Sequence, residues 1–132
     1  MKYTPLALLA TVLFLAGTPS SAHHSFAATY FEDQSVTIEG DILQFMFRNP
    51  HSFVHLEVKE KDGSMARYTV EWGGTGQLGA QGVTKESIKV GDHVIISGNP
   101  GRNPLDKRVR LLSLFRPRDG FGWGRRPGEV VN

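Results

Sequence analysis

From Val36 to Phe47 apolar residues alternate with polar ones, and partway along the alternation slips by one position. Val36, Ile38 and Ile42 are separated by Thr37, Glu39 and Asp41, the period-two pattern of a strand with one buried face. Past Gly40 the apolar set becomes Leu43, Phe45 and Phe47. A strand that exchanges faces needs a bulge or sharp coil, expected near Gly40, and can then serve two sheets.

The chain that follows repeats the theme in short pieces. After Asn49-Pro50, a second strand carries Val54, Leu56 and Val58 on one face and His51, Phe53, His55 and Glu57 on the other. Asp62-Gly63 signals a hairpin, and Tyr68, Val70 and Trp72 form the inner face of strand three. Residues 73–83 hold five glycines and read as a flexible connector. A helical turn is expected from Thr84, whose hydroxyl can cap Lys85 to Ile88. Val90-Gly91-Asp92 turns into a fourth strand, His93 to Ser97, and Asn99-Pro100-Gly101 is a further turn. Val109, Leu111 and the run to Phe115 make a fifth strand. Five strands, a curled first strand and a short helix between strands three and four match an OB-like Greek-key barrel, an all-β fold. A small β-sandwich is the competing arrangement.

The ends of the chain set the domain limits. Lys2, the apolar run Leu6 to Ala16, the breakers Gly17 and Pro19, and the small residues Ser20 and Ala22 form the pattern of a signal peptide over residues 1–22. The run is shorter than the roughly 20 apolar residues a membrane span needs. The expected location is therefore periplasmic or secreted, and no later segment is apolar enough to span a membrane. With no cysteine in the chain, the domain at 23–115 must be held by burial and backbone pairing. Residues 116–132, rich in Arg, Gly and Pro, read as a flexible tail that is dispensable for folding. Charge is uneven: residues 23–101 carry ten acids against six Lys/Arg, and residues 102–132 three against eight. The basic end suits an anionic envelope surface. The acidic barrel and its export exclude nucleic acid as a partner.

Five histidines lie outside the signal segment. Cleavage after Ala22 makes His23 the first residue, so its α-amine and imidazole can hold one ion together. With a further imidazole they form a T-shaped nitrogen set of the histidine-brace kind, which suits Cu(II). His24 offers an amine–amide–imidazole chelate from position two. His51 and His55 share a strand face but stand about 13 Å apart at 3.3 Å per residue. One of them, His51 for preference, is the candidate third nitrogen. His93 reads as a surface residue.

Catalytic patterns are weak. There is no His-Glu-x-x-His zinc motif, no nucleophile elbow around Ser25, Ser52 or Ser113, and no Lys-Ser/Thr ending to the Gly73–Gly76 run. Glu71, beside Trp72, reads as a solvated outer-face carboxylate. The aromatic residues exceed what one strand face can hide, and Phe47, Phe53 and Trp72 are candidates for a groove that takes a small apolar molecule.

His23-His24-Ser25-Phe26-Ala27-Ala28, the Val36–Gly40 strand, Asn49-Pro50-His51, Val90-Gly91-Asp92 and Gly98-Asn99-Pro100 together resemble a family of small secreted proteobacterial proteins of unknown function. The resemblance spans nearly the whole chain after residue 22. It implies a periplasmic location and brings no activity. His55 has no counterpart in that pattern, and the glycine-rich connector and basic tail depart from it. The reading that follows is a non-enzymatic binding protein, with copper at the new N-terminus; an apolar-ligand carrier and an envelope adaptor are the alternatives.

Overall fold

The computed structural model describes residues 22–124, with side chains from Phe26 onward. Its strands are β1 (Val36–Met46), β2 (Phe53–Lys59), β3 (Met65–Glu71), β4 (His93–Pro100), β5 (Arg108–Arg116) and β6 (Phe121–Gly124). The helices are α1 (Ala22–Thr29) and α2 (Thr75–Ala80), with a single 3-10 turn at Pro104–Asp106. The sheet runs β3-β2-β1-β4-β5-β6, and a parallel pairing of β3 with β5 closes the first five strands into a barrel. The expected OB-like barrel is the fold, with one extra strand.

β1 is the strand that makes closure possible. Its first half pairs with β4 and its second half with β2, and the two pairings overlap at Gly40 and Asp41. A Cβ at Gly40 would lie 2.1 Å from the Glu57 carbonyl oxygen, so only glycine lets the strands approach there. The register breaks between Ile42 and Gln44, leaving Leu43 as the extra residue. The bulge thus lies three positions beyond Gly40, where the parity itself changes. Ile38, Ile42, Val54, Leu56, Val70 and Ile96 fill the interior.

The glycine-rich segment is helical rather than a connector. Leu78 on α2 is fully buried against the core, and the Asn49 side chain accepts the Thr75 N–H at 2.9 Å, capping the helix from outside. The glycines allow close approach: a Cβ at Gly74 would stand 2.6 Å from the Pro50 carbonyl oxygen. The expected short helix between strands three and four is α2 rather than a segment from Thr84, where a single turn closes with the Ser87 N–H on the Thr84 carbonyl at 3.1 Å. The Thr84 hydroxyl accepts the Glu86 N–H at 3.3 Å, and Val83 and Ile88 are both drawn into the core with only turns connecting them.

Two further corrections concern the chain ends. Residues 116–124 are not a tail. Phe121–Gly124 pairs with β5, Trp123 meets Trp72 edge-on at 5.2 Å, and Arg116 ion-pairs with Asp92 at 2.7 Å. Residues 125–132 of the expected tail lie outside the described residues. Asn99 and Pro100 are no turn but the end of β4. The buried Asn99 amide donates to the Gln34 carbonyl at 2.8 Å and ties the segment after α1 to the barrel.

Candidate functional site

Glu71 ends β3 on the outward parity, between inward-facing Val70 and Trp72, yet it is only 8% exposed. The cover comes from both sides. From the N-terminal segment, the fully buried Tyr30 donates its hydroxyl to Glu71 Oε2 at 2.5 Å. From the loop before β2, His51 Nδ1 lies 2.6 Å from Glu71 Oε1. Arg108, on the neighbouring β5, reaches Oε2 at 3.4 Å. A carboxylate removed from water needs such partners, and here both oxygens have them. Burial and then the bond to Glu71 push the Tyr30 phenol well above its ordinary range. Tyr30 therefore acts as a neutral donor.

His51 is held by more than one contact. Its neighbour Ser52 is buried, donating its N–H to the Gly73 carbonyl and accepting that of Trp72. Phe26 of α1 stacks on the imidazole with ring centres 5.2 Å apart, and the Arg110 guanidinium covers Phe26 at 3.9 Å. With Nδ1 engaged by the carboxylate, Nε2 is the ring nitrogen left to meet a ligand. His51 borders a cleft of about 380 Å³ whose walls include Phe26, Trp72, Gln77 and Trp123.

The other expected site residues are dispersed. His23 and His24 lie in the first turn of α1, and their side chains are outside the described residues. His55 sits on β2, its Nδ1 3.2 Å from the Thr69 hydroxyl, and borders a separate hollow with Phe53 and Arg48. Burial, then Arg67, lowers its pKa. His51 and His55 do not converge. Among the described residues no three His, Cys, Asp or Glu side chains form a metal-binding group. Phe53 lies under Arg48 at 5.2 Å, Phe47 packs on Phe45 at 5.8 Å, and Trp72 is buried between Phe45 and Trp123. Phe47 and Trp72 thus share Phe45 as a neighbour, while Phe53 borders the hollow beside His55.

Residues 11–109 match the sequence model of a family described as a family of unknown function, DUF6152. The chain belongs to that family. The matched span runs through the barrel to the second residue of β5. No curated protein is similar enough to match. In this DUF6152 protein, Glu71, Tyr30, Phe26 and Arg108 are the site residues that strand patterning misses. Glu71 has the parity of a solvated residue, and only a segment distant in sequence buries it. One signal was available: Phe26, Tyr30 and Phe31 are too many aromatic side chains for a solvated leader. Among the described residues no helix is long and apolar enough to cross a membrane.

Proposed function

We propose that this DUF6152 protein is an exported, non-enzymatic binding protein that holds Cu(II) through the amine and imidazole of a terminal His23 together with His51. The observation that carries the reading is the His51–Glu71 pair. A carboxylate behind an imidazole fixes the tautomer and orients the ring, as it does around metal-bound histidines. The α1 backbone is consistent with the reading. His23 precedes Phe26 by three residues, about 4.5 Å along a helix axis at 1.5 Å per residue. Phe26 in turn stacks on His51. His55, in its separate hollow, has no part in the site, and His24 remains available for a second-position chelate.

The test is Cu(II) titration of four proteins: the native start at His23, one extra N-terminal alanine, His51→Ala and Glu71→Gln. The extension should weaken binding strongly, His51→Ala should change the copper spectrum, and Glu71→Gln should weaken binding by about 10–100-fold. If the alanine-extended protein binds copper as tightly as the native one, the terminal amine is not a ligand and the proposal fails.

A further inference from the structure

The barrel has two ends of different character. α2 follows the end of β3 and, with buried Leu78, Val83 and Ile88, closes the end at which β4 begins. At the opposite end β1, β3 and β5 start and β2 and β4 finish, and the single 3-10 turn Pro104–Asp106 lies beside it. A cavity of about 540 Å³ opens there. Its floor is the last inward-facing layer of the barrel, including Val36, Val58, Tyr68 and Val109, with Pro104 of the 3-10 turn as one wall.

The rim is positively charged, and its charges are unequally partnered. Lys107 Nζ and the Tyr68 hydroxyl both reach Glu60 Oε1 at 3.0 Å, so that lysine is already matched. Glu39 is turned to His93 at 2.8 Å. Lys59 and Lys61, exposed on the same rim, have no carboxylate partner among the described residues. An apolar floor under a surplus of ammonium groups is complementary to a molecule with an apolar body and one anionic head.

We propose that this open end of the barrel binds a small amphipathic anion, an acyl chain of medium length bearing one carboxylate or phosphate. The chain lies over Val36, Val58 and Tyr68, and the head lies between Lys59 and Lys61. Mouths of small barrels are recurrent ligand sites because the strands pre-form the walls. The site shares no ligand with the proposed copper centre, so either can fail without the other.

The experiment measures binding of decanoate, decyl phosphate and decanol to the processed protein, with a metal chelator present. Decanoate should bind about tenfold more tightly than decanol, a difference that two exposed charge contacts can supply. Comparison with decyl phosphate identifies the preferred head. Lys59→Gln/Lys61→Gln, altered only at exposed positions, should erase the advantage of the two anions, and added salt should narrow it. Val36→Trp should fill the cavity and weaken all three ligands. Equal affinity for decanol and decanoate, unchanged decanoate binding in the double lysine variant, or no binding of any probe would each overturn the proposal.

Discussion

Tyr30→Phe tests whether the N-terminal segment is an integral part of the barrel. The substitution keeps the ring and its packing and removes one hydroxyl, so no cavity forms. Glu71 Oε2 then loses its 2.5 Å donor and retains only Arg108 at 3.4 Å, while the carboxylate stays buried. A hydrogen bond to a charged group contributes about 1.5–3 kcal/mol, so a loss of about 2 kcal/mol is expected. For a domain of this size that is a fall of about 8–16 °C in Tm. Urea and thermal unfolding of the processed protein give both values. Tyr68→Phe is the internal control. Its hydroxyl also donates to a glutamate, but Glu60 is more exposed and keeps Lys107, so the cost should stay below about 1 kcal/mol. The native protein should also lose stability as pH rises above about 10, the ordinary phenol value, because unfolding releases the Tyr30 proton more readily than the fold does. Tyr30→Phe should reduce that alkaline loss, leaving the part that Tyr68 and Lys107 contribute, since their pKa values are raised as well. A cost under about 0.5 kcal/mol, equal to that of Tyr68→Phe, would refute the burial argument.

Truncation after Phe115 should cost about 3–5 kcal/mol, because it removes Arg116 and Arg118 from the buried Asp92 carboxylate and leaves it the Lys89 N–H as hydrogen-bond donor. Chemical denaturation checks this, and a shortened domain of native stability would show that β6 and its arginines are peripheral. The histidines on the two strand faces should respond to pH in opposite directions. Hydrogen bonds to Glu39 and then Asp41 raise the His93 pKa, so its contribution is complete below the unfolded value near 6.5 and disappears as pH rises through the higher folded value. His55 is held lower by burial, so stability falls as pH drops below about 6.5, where the unfolded chain takes up the proton first. Urea midpoints near pH 5.5 and about pH 8 should show His93→Gln losing stability mainly at the acid value and His55→Gln gaining there relative to the native protein.

Alternation along Val36–Phe47 and in the segments that follow was enough to place strands and their inward faces, because each rests on a local period of two. The element order matched a barrel, but the choice over a sandwich is made by the parallel pairing of β3 with β5. The parity slip also announced the bulge, though not its seat at Leu43, since several placements give the same pattern until the register with β2 is known. Local composition failed where distant partners decide. Glycines at 73 and 74 suggest a flexible loop, yet Asn49 and Pro50 lie against that segment and cap a helix there. An Arg/Gly/Pro stretch suggests a tail, yet the open edge of β5 accepts Phe121–Gly124 as one more strand.

The histidine candidates divide along the same line. That His51 follows a turn and stands four residues before His55 is a property of sequence spacing, although β2 begins only at Phe53 and leaves His51 in the preceding loop rather than on the expected shared strand face. That, among the described histidine side chains, His51 alone is backed by a buried carboxylate is not, because Tyr30, His51, Glu71 and Arg108 come from four separate stretches of chain. Side-chain periodicity says which residues of one strand face water when nothing else covers it. It cannot say that the segment after α1 will lie across that face. Glu71 therefore looks solvated in sequence and is buried in the fold, because the desolvation of a carboxylate is set by the packing of other elements around it.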